Sequence, residues 1–233
     1  MLPKKMLTLI PVAIALSACS SIPLLGGGTK PAVAATPTVA PLAVVAPADV
    51  AVPENQLALD LSSGGRVVIQ LRPDVAPNHV ARIKELARAG FYNGVVFHRV
   101  IEGFMAQGGD PTGTGQGGSQ MPDLKAEFNA LPHVRGTMSM AREGNNNDSG
   151  NSQFFIMLQP NLRLDNNYTA FGRVISGMEF VDRIRKGEPP VAPSRIVQAS
   201  IMADGKPVPP VLSEAPLPSA TPISTDLNAP IGN

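Results

Sequence analysis

The chain has 233 residues, 43% of them hydrophobic, with 19 Lys and Arg against 18 Asp and Glu for a formal net charge of +1. That length bounds it to one or two domains. Balanced charge without a basic run gives no reason to expect nucleic acid as a partner. A single cysteine excludes an internal disulfide framework and a cysteine zinc cluster.

In chain order, the first segment is MLPKKMLTLIPVAIALSACSS, with Lys4 and Lys5 ahead of an apolar run from Met6 to Leu16 and small residues before Cys19. This is the layout of a secretory signal, too short to span a bilayer comfortably. Leu16-Ser17-Ala18-Cys19 resembles a bacterial lipobox, which implies removal of residues 1–18 and lipidation of Cys19. The competing reading is a plain signal peptide and a free thiol. Several acyl chains on Cys19 would anchor the protein stably, whereas one would not. Ser20 follows where aspartate would mark retention, and by resemblance to Gram-negative lipoproteins this favours the outer membrane, with the protein facing the periplasm.

Residues 19–54 carry prolines at 23, 31, 37, 41, 47 and 53 with Ala, Val, Thr and Gly between them, and no apolar period of 2 or 3.6 survives. They read as a tether with a reach of at most about 100 Å at ~3.1 Å per residue. Residues 205–233 are similar in composition and are expected to stay unfolded. Between them, residues 55–204 are long enough for a core of their own.

That stretch reads as short strands punctuated by glycines. LALDLSSGGRVVIQL is a hairpin of two alternating runs, and VVFHRVI, FMAQGG, GTMSMA, SQFFIML and YTAFGRVI are further strands. PNHVARIKELARAG predicts a helix capped by Asn78, with Val80, Ile83 and Ala87 on one face and Gly90 closing it. SGMEFVDRIRKG predicts a second, with Ser176 and Glu179 as a capping box and Met178, Val181 and Ile184 on its apolar side. Many short strands with two helices point to a mainly β fold, a closed barrel plugged at its ends.

The segments FHRVIEGFMAQGGD, GTGQGG, SQFFIML and LDNNYTAFGRVISGMEFVDRI follow one another as they do in cyclophilins, and the chain resembles that family over residues 55–204. The resemblance implies a closed eight-stranded antiparallel barrel with two capping helices and a peptidyl-prolyl cis-trans isomerase, or rotamase, without cofactor or metal. It places the family's catalytic arginine on Arg99, the proline pocket on Phe104, Met105, Phe155 and Leu164, and polar partners on Gln107 and Gln153. Gly115, Ala141 and Tyr168 complete the implied substrate groove. The expected partners are proline-containing, unfolded or flexible polypeptides, with the protein a monomer.

The residues support this in their own terms. Arg99 stands among Phe97, Val100, Ile101, Phe104 and Met105, and a guanidinium in an apolar run must be paired or employed. Residues two apart on a strand share a face, so Met105 with Gln107, and Gln153 with Phe155, each offer one apolar group and one amide. An apolar floor suits a proline ring, and Gln107 is positioned to orient Arg99. The alternative for Arg99 is an ion pair with Glu102 or Asp110.

Other signals are weaker. Residues 113–118, GTGQGG, match G-x-G-x-x-G, but Pro122 follows and no helix does, so a tight loop is expected instead of a dinucleotide site. His79, His98 and His133 are scattered, arguing against a metal site. No G-x-S-x-G surrounds Ser139 or Ser152. The run from Gly144 to Ser152 reads as a solvated loop. Arg163, Tyr168, Arg142 and Glu143 depart from residues common in the family, and Arg163 in place of an aromatic implies weak cyclosporin inhibition. An envelope foldase is the leading reading. A proline-peptide binding or chaperone module with little catalysis, or a structural envelope lipoprotein, are the alternatives.

Overall fold

The computed structural model describes residues 52–210. The expected signal segment, Cys19, the tether up to residue 51 and the tail beyond residue 210 lie outside the described residues. No helix among the described residues is long and apolar enough to cross a membrane.

Eight antiparallel strands form one sheet: β1 (Gln56–Leu61), β2 (Gly65–Leu71), β3 (Arg99–Ile101), β4 (Met105–Gly108), β5 (Thr137–Met140), β6 (Phe154–Met157), β7 (Ala170–Ser176) and β8 (Ile196–Ile201). They are ordered β3-β4-β6-β5-β7-β2-β1-β8. Helices α1 (Pro77–Arg88) and α2 (Met178–Asp182) lie against β8 and β2 respectively. The sheet curls as a half-barrel. Among the described residues β3 and β8 form no ladder, so the closure expected from the resemblance is limited to isolated bridges at Val96–Arg195 and Val100–Gly187.

Alternation explains the core. Leu57, Leu59 and Leu61 on β1 and Val67, Ile69 and Leu71 on β2 are at most 2% exposed and point inward. Further along the sheet the same core continues, where Phe154 meets Tyr92 and Phe97 edge-on at 5.6 and 6.5 Å. The seven strands expected from sequence all form. β8 is the one the patterning did not single out, because Ile196–Ile201 reads IVQASI, apolar at both ends with no strict alternation.

Both helices form, with different caps from those expected. In α1, Val80, Ile83 and Ala87 are buried as the spacing required, and Gly90, at φ 73°, ends it. Asn78 lies inside the helix, and the free N–H groups of Asn78 and His79 are met by the Glu127 carboxylate at 3.1 and 3.0 Å. In α2 the N-cap is Gly177 at φ 84°, a conformation costly for serine, and Ser176 ends β7 instead. Ile184 is buried just beyond the helix end.

The residues just before β1 and just after β8 meet on α1. Arg88 on α1 binds Glu54 before β1 and Asp204 after β8, at 2.8 and 3.0 Å. Beyond Asp204 the backbone oxygens of Lys206 and Pro207 accept hydrogen bonds from Arg66 and Gln198.

Candidate active site

Register builds the site. Arg99 on β3 faces Gln107 on β4, Gln107 faces Phe155 on β6, and Phe155 faces Ser139 on β5. Directly opposed residues share a face, so one row crosses four strands on the outside of the sheet. Met105 and Met157 form the neighbouring pair. Met105, Phe155 and Met157 make a small apolar cluster separate from the main core, with Phe104, Ala141, Leu164 and Tyr168 packed against it.

This cluster opens into a cavity of about 260 Å³. Its floor is Met105, Phe155 and Ala141, its walls are Phe104, Leu164 and Tyr168, and Arg99 and Gln107 stand at its edge. The structure therefore brings together eight of the residues expected from sequence. The other two, Gly115 and Gln153, line an adjoining polar groove of about 620 Å³. Arg142 borders both spaces, its guanidinium 4.6 Å above the Tyr168 ring. Arg163 is exposed and does not line the cavity.

The polar contacts differ from the expectation in one respect. Gln107 does not orient Arg99; its amide donates to Gln153 Oε1 at 2.9 Å, and Gln153 in turn donates to the carbonyls of Gly115 and Gly117. Gln107 thus steadies Gln153, and Gln153 fastens the glycine loop. Arg99 is held through Nε by Glu188 Oε2 at 2.7 Å, with both side chains half-exposed. The ion pair weighed from sequence thus exists, but with Glu188; Glu102 faces Lys186 at 3.9 Å, and Asp110 has another task.

Asp110 is fully buried and straps the loop that follows it. Its carboxylate accepts from the N–H groups of Thr112, Thr114 and Gly115 at 2.7, 3.0 and 2.6 Å and from the Thr112 hydroxyl. Burial pushes its pKa up, and these hydrogen bonds, led by Thr112, outweigh burial and bring it down to about 2. Gly117 must be glycine, since a Cβ there would lie 2.2 Å from Asp110 Oδ1. The expected tight loop is therefore one wall of the groove, moulded on a carboxylate.

Behind Phe155 lies a buried polar chain. Asp165 accepts from both the backbone N–H and Nδ1 of His133 at 2.8 Å, which leaves Nε2 to accept from the Ser139 hydroxyl at 2.9 Å. Burial holds the His133 pKa down against the pull of Asp165, so the ring is neutral. It stacks on Phe155 at 6.2 Å, and Tyr168 meets Phe155 edge-on at 5.5 Å. Ser139 and His133 are 0% exposed, so this Ser-His-Asp connection is unreachable for substrate and serves as support. His79 binds Glu127, and His98 lies behind Gly115 with neither ring nitrogen hydrogen-bonded among the described residues.

The run from Gly144 to Ser152 divides in two. Residues 144–148 are exposed, as expected, whereas Asn151 is built in, accepting from Ser119 and donating to Met121 and Asp123. Sequence reasoning missed the holding roles of Asp110, His133, Asp165 and Glu188. Asp110 and Asp165 lie within segments that carry the resemblance, but nothing local there marks a holding role, and the bonds made by His133, Asp165 and Glu188 span 6 to 89 positions.

An apolar cavity edged by Arg99, Arg142 and the Gln107 amide, with no serine, cysteine or lysine among the described residues that line it, suits rotation of a bound peptide better than bond cleavage. Comparisons with known proteins agree. A probable peptidyl-prolyl cis-trans isomerase of Brucella suis is 50% identical over 175 residues, 68% of this chain and 88% of that one. Peptidyl-prolyl cis-trans isomerase B of Bacillus subtilis is 44% identical over 130 residues, 55% and 89% of the two chains. Among solved structures, a cyclophilin from Hirschia baltica superposes with a TM-score of 0.61 at 30% identity, covering 67% of this chain and 77% of that one. A Cryptosporidium parvum cyclophilin-type isomerase, crystallised with the dipeptide Ala-Pro, gives 0.59 at 29% identity, covering 63% and 98%. Residues 57–201 match the family described as cyclophilin type peptidyl-prolyl cis-trans isomerase/CLD, and the chain belongs to that family, with its isomerase activity.

Proposed function

We propose that the protein is an envelope foldase that accelerates X–Pro rotation in exported polypeptides, with Arg99 as its catalytic residue. The proline ring enters the cavity floored by Met105 and Phe155 and walled by Phe104, Leu164 and Tyr168. The flanking peptide lies along Gln107, Gln153, Ala141 and Gly115, whose polar groups suit a backbone. The Ala-Pro dipeptide in the Cryptosporidium relative supports a proline peptide as ligand.

Amide resonance sets a barrier of about 18–20 kcal/mol. Rotation makes the prolyl nitrogen pyramidal and frees its lone pair, so a donor that binds the twisted state better than the planar ones lowers the barrier. To go from about 0.01 to about 1,000 per second takes ~7 kcal/mol. One charged hydrogen bond supplies about 1.5–3 kcal/mol. The apolar cavity must supply the rest by fit and desolvation.

The lipobox-like Leu16–Cys19 and the proline-rich residues 19–54 support a lipid-anchored domain facing the periplasm, on the outer membrane by the Ser20 criterion. In this reading residues 55–204 act as a monomeric isomerase unit between the tether and a proline-rich tail.

The observation that carries the proposal is the row Arg99–Gln107–Phe155 at the edge of an open apolar cavity. A prolyl isomerase assay on the purified chain beside Arg99→Ala tests it. A steep fall in kcat assigns the arginine its role; equal rates would leave catalysis to fit and desolvation and remove that role. Release of the protein into detergent only, with a mass increase on Cys19, tests the anchor; a soluble chain with a free thiol would refute it.

A further inference from the structure

We infer that Glu188 is a positioning residue for the isomerase reaction, clasping the Nε edge of Arg99 so that the terminal amino groups of the guanidinium are left for the proline cavity. The inference rests on the catalytic role proposed for Arg99.

The backbone sets the pair up. Val100 N donates to Gly187 O at 2.8 Å and Gly187 N to Val100 O at 2.9 Å, an antiparallel bridge that places residues 99 and 188 opposite one another. Glu188 Oε2 then accepts from Arg99 Nε at 2.7 Å, the length of a charge-assisted bond. On the other side of the bridge Lys186 and Glu102 make a looser pair at 3.9 Å.

A guanidinium has five N–H donors, of which Nε carries one. Among the described residues Glu188 is the one hydrogen-bond partner of the Arg99 side chain, so Nη1 and Nη2 keep all their donors while the side chain lines the cavity. The residue expected to hold the arginine, Gln107, is occupied with Gln153. Without Glu188, a side chain 43% exposed on a long stem would be free to sample other rotamers. The carboxylate also offsets the positive charge at the cavity rim, so the arginine acts as a directed donor.

An exposed ion pair adds little to folding stability. A positioning role therefore predicts a signature that a structural pair would not give, a loss in kcat with the melting temperature and KM unchanged.

The test compares the purified chain with Glu188→Ala, Glu188→Gln, Arg99→Ala and the double alanine variant in the isomerase assay. Glu188→Ala is expected to lower kcat about two- to five-fold, the scale of one exposed charged pair. Glu188→Gln, which keeps an acceptor, should restore most of the rate, and the remaining gap to the wild type should narrow at high salt. In the Arg99→Ala background the Glu188→Ala change should cost nothing more. A wild-type kcat in Glu188→Ala, a loss confined to KM or melting temperature, or the same loss in the Arg99→Ala background would each overturn the inference. Should Arg99→Ala itself turn over normally, the proposed role of Arg99 fails first; should it be slow while Glu188→Ala is normal, only the brace fails.

Discussion

Phe154 and Phe155 are neighbours on β6 and face opposite sides of the sheet. Phe154, 0% exposed, is sealed in the main core against Tyr92 and Phe97. Phe155, 6% exposed, floors a cavity and is backed by His133. The same alternation sends Ala106 inward from β4 and Met105 and Gln107 outward. The inner cluster is closed on every side and contributes stability. The outer one is built from the same residue types and left open, and under the proposed function the proline ring of a substrate completes it. Behind it the hydrogen-bonded His133 ring stacks on Phe155 and fixes the floor from the far side.

The largest expected break in this contrast is Phe154→Ala, which should cost about 3–5 kcal/mol by analogy with other buried aromatic truncations. Denaturant unfolding would report it, with the activity of the remaining folded fraction little changed. Phe155→Ala should reverse the pattern, losing about ten-fold or more in kcat/KM with less than half the stability loss, because one side of that ring already faces open space. If the two variants lose stability equally, the distinction between sealed and open clusters is wrong.

Asp110→Asn tests whether the groove wall depends on a charge. Leaving loop N–H groups poorly paired should cost about 1–3 kcal/mol. The folded pKa of about 2 lies below the ordinary 3.8, so the carboxylate stabilises the fold above pH 4 and that contribution is lost as pH falls from there towards 2. The wild type should weaken across that window and the asparagine variant should show a flatter profile. Identical acid profiles would remove the strap from the account.

Arg142→Ala should have the smallest effect. An exposed cation–π contact is worth about 0.5–1 kcal/mol, so a two- to five-fold change in KM, with kcat retained, is expected where Arg142 divides the two spaces. Unchanged KM for every proline peptide tried would mean that the divider is passive.

Half of the expected pocket residues lie on strands, where a period of two decides the face, whereas Phe104, Ala141, Leu164 and Tyr168 lie off the strands and were legible only through the resemblance. Arg99, Met105, Gln107 and Phe155 needed only that rule and the resemblance. What holds them was not legible. Glu188 reaches Arg99 from a loop 89 positions away, and Glu127 caps α1 from 48 positions away. Local capping rules favoured Asn78 and Ser176, but tertiary partners and the left-handed turn at Gly177 prevailed. Strand β8 was obscured because both of its faces are largely covered, which erases alternation.

The junction of Arg88 with Glu54 and Asp204 has a practical consequence. Leu57 at the start of β1 lies beside Ile201 at the end of β8, so the chain enters β1 and leaves β8 at one point, and residues 206–210 then run back along the hairpin towards Leu61 and Gly65. A fusion partner, bead or surface joined directly at Glu54 or at Asp204 meets the domain at the same place. The active-site cavity then has the same position relative to the attachment, and swapping the end used for immobilisation leaves its accessibility unaltered.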